Sequence, residues 1–134
     1  MAEALSLSRI GQIAVRASDL DRAVAFYRDV LAMPFLFRVP NLAFFQCGEV
    51  RLMLGPAERP EHDHPGSVIY YRVDDIQAAH ATLKGRGVAF IDEPHLIARL
   101  PDREVWMAFF HDVSGNTLAI MSEPPIAGQA AARG

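Results

Sequence analysis

Few side chains in this 134-residue sequence have the chemistry of catalysis or metal binding, and the histidines and the single cysteine are the first candidates. His62 and His64 form an HxH pair that could capture a divalent metal, but their loop is proline-bounded and offers no obvious third ligand. We interpret them as solvated loop histidines, with adventitious metal binding as the alternative. Cys47 has no Cys–His signature around it and cannot form an internal disulfide. We interpret it as a buried structural thiol rather than a nucleophile.

The other three histidines fall in predicted helices and strands. His80 continues the apolar spacing of a helix, which predicts a half-buried histidine without a chemical role. His111 is predicted to lie on the surface at the end of a strand. His95 begins a strand that carries Ile97 and Arg99 on the same side. Ligand binding or acid–base catalysis by His95 stays open beside a structural hydrogen-bonding role.

Two predicted strands carry further candidates on the side opposite their apolar residues, because side chains alternate between faces along a strand. These candidates are Gln12, Ala14 and Arg16 on one strand, and Val68, Tyr70 and Arg72 on the other. Four large residues could add an apolar wall to a ligand cavity, with packing in the core as the alternative. They are Met53, Trp106, Phe110 and Met121.

Composition and charge exclude several classes of function. A mass of 14.8 kDa fits one domain, and 51% hydrophobic residues without a long apolar run predict a globular protein with no membrane span. The net charge of −3 is spread along the chain without a basic block, so nucleic-acid binding is not expected. The first residues lack the features of a secretory signal, which predicts a cytoplasmic protein. Motifs of serine hydrolases, zincins and nucleotide-binding proteins are absent from the sequence.

The order of predicted elements is βαβββ, repeated once. Strands are predicted at 10–16, 35–39, 42–47 and 50–54, and again at 68–73, 95–100, 104–111 and 117–121, with one helix after the first strand of each set. Residues 15–20 also resemble 71–76 at an offset of 56, and 44–45 and 51–54 resemble 109–110 and 117–120. We therefore predict one α+β domain of two modules, at about 8–54 and 67–122, followed by a disordered tail at 123–134.

This repeat resembles the vicinal oxygen chelate superfamily, which includes glyoxalase I, extradiol dioxygenases, and fosfomycin- and bleomycin-resistance proteins. The resemblance rests on the two modules, the stretch 19–31 after the first strand, and the Asp112-Val113-Ser114-Gly115-Asn116 turn before the last strand. It implies a half-open barrel of two curved sheets with the helices outside and the ligand cavity inside the cup. It also implies a homodimer, since chains of this size usually pair in this superfamily.

The superfamily's divalent metal is held by four inward side chains from the first and fourth strands of the two modules. By the resemblance these positions fall on Gln12, Met53, Val68 and Ala119. A glutamine oxygen suits a hard cation, but a thioether is a soft ligand, and Val and Ala have no donor atom. We therefore predict that the family's metal site is absent, and we expect no other cofactor.

The resemblance leaves two main functions open, beside a purely structural or regulatory one. The first is a binding protein that holds a small, partly apolar or aromatic molecule in its cup. The second is a lyase, isomerase or dioxygenase-type enzyme with non-standard residues, in which His95 and Tyr70 act as an acid–base pair. Arg16 matches an arginine of glyoxalase I and could bind an anion, or else bridge an acidic neighbour. The predicted ligand-contacting residues are Gln12, Arg16, Met53, Val68, Tyr70, His95, Trp106 and Ala119.

Overall fold

A computed structural model describes residues 5, 7–57, 60 and 66–126 of the chain. The chain divides into two units, Met1–His64 and Pro65–Gly134, and each contains one βαβββ set. His62, His64 and residues 127–134 lie outside the described residues. None of the helices in the described ranges is long and apolar enough to cross a membrane.

Module 1 is a four-stranded mixed sheet with one helix. Its elements are β1 (Gln12–Arg16), α1 (Leu20–Ala25), a π-helical continuation (Phe26–Val30), β2 (Phe35–Val39), β3 (Leu42–Cys47) and β4 (Val50–Gly55). The strand order is β1-β4-β3-β2, with β1 parallel to β4 and the other pairs antiparallel. Asp19 begins the helix by accepting a hydrogen bond from the backbone N–H of Arg22 at 3.2 Å.

Module 2 repeats this arrangement. Its elements are β5 (Ile69–Arg72), α2 (Ile76–Gly85), β6 (His95–Arg99), β7 (Glu104–His111) and β8 (Thr117–Ser122). The strand order is β5-β8-β7-β6, again with only the first pair parallel. Asp75 caps α2 by accepting a hydrogen bond from the backbone N–H of Ala78 at 3.1 Å.

Strand register confirms the internal repeat residue by residue. Ala14 pairs with Met53 in module 1, and Tyr70 pairs with Ala119 in module 2, as the offsets in the sequence require. Phe44 and Phe109 lie opposite Met53 and Ala119 in the neighbouring strands. The predicted α+β fold of two βαβββ modules is therefore confirmed, and each module contains one open four-stranded sheet.

The core of each module lies between its sheet and its helix. In module 1 the buried side chains include Tyr27, Ala43, Phe45, Leu52 and Leu54, and in module 2 they include Ile76, Leu83, Ala108, Phe110, Leu118 and Ile120. His80 belongs to the second group with only 6% of its surface exposed, so the prediction of a half-buried histidine underestimated its burial. Its ring lies 4.3 Å from that of Phe90, and its Nε2 lies 3.6 Å from Oε2 of Glu93.

Two segments differ from the sequence prediction. The first helix does not stay α-helical, because the N–H of Leu31 donates to the carbonyl oxygen of Phe26, five residues back, at 3.0 Å. The expected disordered tail begins with ordered residues, since the carbonyl of Pro124 accepts from the N–H of Glu104 at 3.0 Å. Pro125 also bridges to Arg103. A proline lacks the N–H but keeps its carbonyl, so residues 123–126 continue from β8 in extended form and still pair alongside the start of β7, which explains their order.

Candidate functional site

The sheet of module 1 has two faces of different character. Phe45 faces α1, with its ring 6.0 Å from that of Tyr27. Strand alternation and register place a mixed set of side chains on the opposite side, which we call the α1-distal face. This face includes Gln12, Ala14, Phe37, Phe44, Gln46, Arg51 and Met53. It combines exposed apolar surface with polar groups, which is typical of ligand sites.

Arg51 is the centre of a fixed group on this face. Its Nε donates to Oε1 of Gln12 at 2.7 Å, and its guanidinium carbon lies 5.3 Å from the centre of the Phe44 ring. Phe44 in turn stacks on Phe37, with ring centres 4.6 Å apart and planes inclined by 28°. The Gln12 amide nitrogen lies 3.7 Å from the sulfur of Met53. The cation and the two aromatic rings therefore form one connected layer.

A cavity of about 580 Å³ opens on this group, which is within the usual size of small-molecule sites. It is lined by Gly11, Gln12, Leu36, Phe37, Gln46, Glu49 and Arg51. The Gln46 amide already donates to the carbonyl of Gly48 at 2.6 Å. The cavity thus offers an apolar wall, amide groups, one acid and one guanidinium.

The corresponding face of module 2, opposite α2, brings together the two acid–base candidates. The rings of Tyr70 and His95 lie 5.9 Å and 6.3 Å from that of Phe109, so Phe109 is what joins them. Nδ1 of His95 lies 2.8 Å from the carbonyl oxygen of Glu93. Because a carbonyl only accepts, the imidazole carries its proton on Nδ1 and leaves Nε2 as an acceptor when neutral.

The remaining predicted ligand residues are distributed as follows. Arg16 is half-buried at the end of β1, opposite Gly55. Val68 is half-buried and directly precedes β5, and Ala119 is buried in β8 beside Tyr70. The structure therefore brings Gln12 and Met53 together in module 1, and Tyr70, Ala119 and His95 onto one face of module 2.

Trp106 is not brought together with these residues. It occupies the same side of β7 as Ala108 and Phe110, which is the side facing α2, and its Nε1 donates to Oε1 of Glu104 at 3.1 Å. Phe110 is fully buried and is a core residue, so it does not form part of a ligand wall. Side chains alternate along β7, so Trp106 and Phe110 lie on the opposite side of the strand from Met107 and Phe109. This alternation can be read from the sequence.

The residues that the resemblance assigns to the family's metal positions do not fit a divalent cation. Three of them are Met53, Val68 and Ala119, which offer no hard donor atom. The fourth, Gln12, has its carbonyl oxygen bound to the guanidinium of Arg51, a cation that would repel a metal at this point. Within the described ranges, no three His, Cys, Asp or Glu side chains cluster as a metal site requires.

Arg51, Phe37, Phe44 and Glu49 were missed as candidate site residues. Arg51 lies two residues before Met53 on the same strand, so the alternation that placed Met53 on this face also places Arg51 there. The stacking of Phe37 on Phe44 depends on the register of β2 with β3, which a bulge between Phe35 and Phe37 shifts. Arg51 could therefore have been found from the sequence, whereas the stacking of Phe37 on Phe44 could not.

Burial raises the pKa of the Cys47 thiol, because the half-buried position at the end of β3 disfavours the thiolate. At pH 8 the folded protein therefore holds less thiolate than the unfolded chain. We expect alkylation by iodoacetamide to be several-fold slower for folded than for urea-unfolded protein, with its pH midpoint moved upward. Equal rates in the two states would contradict the interpretation of Cys47 as an inert structural thiol.

Comparison with known proteins places the chain in a family. Residues 9–120 match the model of the glyoxalase/bleomycin resistance protein/dioxygenase superfamily. A glyoxylase-like domain-containing protein of Didymella fabae is 28% identical over 127 residues, covering 87% of this chain and 94% of that protein.

Solved structures show the same fold. TnmS3, an antibiotic binding protein from Streptomyces sp. CB03234, is similar with a TM-score of 0.73 and 24% identity, covering 90% of this chain and 99% of its own. The lactoylglutathione lyase of Agrobacterium tumefaciens is similar with a TM-score of 0.67 and 24% identity, covering 87% and 95%. With its two βαβββ modules and a family match over nearly all described residues, the chain belongs to the glyoxalase/bleomycin resistance protein/dioxygenase superfamily.

Proposed function

We propose that this chain binds a small, partly aromatic molecule on the α1-distal face of module 1, without the divalent metal of the superfamily. One observation carries the proposal: Phe37 is 45% exposed, stacks on Phe44 and lines the cavity. A large exposed aromatic ring at a cavity is costly to leave in water and offers a stacking surface to a planar ligand. The described role of TnmS3, an antibiotic binding protein, is of the kind that we propose here.

Binding without catalysis agrees with the chemistry of the cavity lining. Its amide groups and guanidinium orient a ligand but do not transfer protons near neutral pH, which leaves Glu49 as the one lining side chain able to do so. The alternative function, a lyase, isomerase or dioxygenase-type enzyme with non-standard residues, would use His95 and Tyr70. These two side chains share a contact with the Phe109 ring, which is weaker support than a shared hydrogen bond would be.

Replacement of Phe37 by alanine tests the proposal. We expect isothermal titration calorimetry with 2-naphthalenemethanol to give an affinity about fivefold lower for Phe37→Ala, because the variant loses the stacking surface. Val39→Ala is the matched control, since Val39 lies on the same strand with 41% exposure but does not line the cavity. The parent should bind equally well after treatment with EDTA, because no metal takes part.

Two results would contradict this proposal. Equal affinities of the parent and Phe37→Ala would show that the ring is not a binding surface. Loss of binding after EDTA treatment, restored by a divalent metal, would contradict the metal-free site.

A further inference from the structure

We infer that the ligand of this site carries a carboxylate, or a similarly planar monoanion, on its aromatic ring, and that Arg51 binds that group. The inference rests on the proposed function and adds the chemical class of the ligand. The aromatic pair explains why a ring would bind. The guanidinium beside it explains which substituent the ring would carry.

The contacts of Arg51 leave its terminal amino groups for a ligand. Gln12 takes the Nε–H, and Phe44 supports one side of the guanidinium plane. Both contacts involve uncharged groups, so neither neutralises the positive charge that Arg51 presents to the cavity. Two terminal N–H groups in one plane match the two oxygens of a carboxylate, and this bidentate geometry is the strongest one available to arginine.

Arg51 also differs from two other arginines of its module, Arg28 and Arg38. Arg38 pairs with Asp21 at 2.7 Å, and Arg28 pairs with Asp29 at 2.8 Å. Arg51 has no carboxylate within ion-pair distance among the described residues, although Glu49 lines the same cavity. A guanidinium that lies beside an aromatic surface and has no counterion there suits an external anion.

Comparison of the two modules indicates that the fold does not require the Gln12–Arg51 pair. The positions equivalent to Gln12 and Arg51 in module 2 are Val68 and Thr117, by the offsets that the strand register confirms. The aromatic ring is kept, since Phe44 corresponds to Phe109. The same sheet therefore forms without the Gln–Arg pair, and the pair in module 1 is better explained by a ligand.

The test compares two probes that differ in charge, 2-naphthoate and 2-naphthalenemethanol, by isothermal titration calorimetry. We expect the parent to bind the carboxylate about tenfold more tightly than the alcohol, because the charge-assisted pair forms only with the anion. Arg51→Gln should remove this preference, and Arg51→Lys should restore it in part, since lysine keeps the charge but not the planar fork. Glu49→Gln should strengthen carboxylate binding, because it removes a negative charge from the cavity.

Arg38→Gln is the matched control, since it removes the same charge from the same sheet and breaks only an exposed ion pair with Asp21. Its preference for the carboxylate should equal that of the parent. Equal binding of both probes, still dependent on Phe37, would overturn the inference and leave the proposed function standing. If neither probe bound, or if both bound independently of Phe37, the proposed function would be overturned and the inference with it.

Discussion

Replacement of Asp112 by alanine is expected to lower the free energy of unfolding by about 3 kcal/mol, because it leaves several buried donors without an acceptor. Asp112 is 7% exposed in the turn between β7 and β8. Its Oδ1 accepts from the backbone N–H of Ser114 at 2.9 Å and of Asn116 at 2.8 Å. Its Oδ2 accepts from the side-chain amide of Asn116, also at 2.8 Å. Asn116 is itself 7% exposed, so water cannot easily replace the lost acceptor.

The matched control is Asp75→Ala in the same module. Asp75 caps α2 by accepting one hydrogen bond from Ala78, at an exposed site, and we expect a loss of only about 1 kcal/mol. Urea unfolding followed by the fluorescence of Trp106, the single tryptophan, reports on this module directly. If Asp112→Ala destabilised the protein no more than Asp75→Ala, the turn would not have the structural role that its hydrogen bonds indicate.

The Asp112–Asn116 turn also shows what the sequence could predict about the fold. The motif, the two sets of strands and the offsets between them depend on local patterns, and the register confirms them. Helix and strand periods are local properties of the chain, which is why the element order was recognisable. The order of residues 123–126 could not be recognised from the sequence, because it comes from pairing with residues 102–104, some 20 positions earlier in the chain.

The candidate site was only partly predictable for a related reason. Gln12 and Met53 were recognised through the resemblance, and the structure brings them into contact. Arg51 lies on the same face of β4 as Met53, two positions earlier. It was overlooked because the resemblance pointed only to the metal positions. Trp106 was assigned to the ligand by its size, whereas the alternation along β7 places it with Ala108 and Phe110 on the helix side. The alternation of side chains along a strand is thus a better guide to the proposed ligand face than the type of residue.

The adjacent residues Phe109 and Phe110 allow a direct test of this alternation. Phe110→Ala is expected to lower the free energy of unfolding by about 4 kcal/mol, since it empties a large volume in a well-packed core. Phe110 is fully buried, and its ring lies 5.2 Å from that of Phe90, which in turn contacts His80. Relaxation around such a cavity is incomplete, so the lost contacts are not recovered.

Phe109→Ala removes the same side chain one position earlier, from the face opposite α2. Phe109 is half-buried and contacts Tyr70 and His95, so its loss should cost about 1–2 kcal/mol, well below the loss for Phe110→Ala. Both variants are compared with the parent by urea unfolding with Trp106 as the reporter. The reverse order of destabilisation would mean that β7 turns its other side to α2. Because Phe44 corresponds to Phe109 in the repeat, that result would also remove the structural basis for placing the ligand on the α1-distal face.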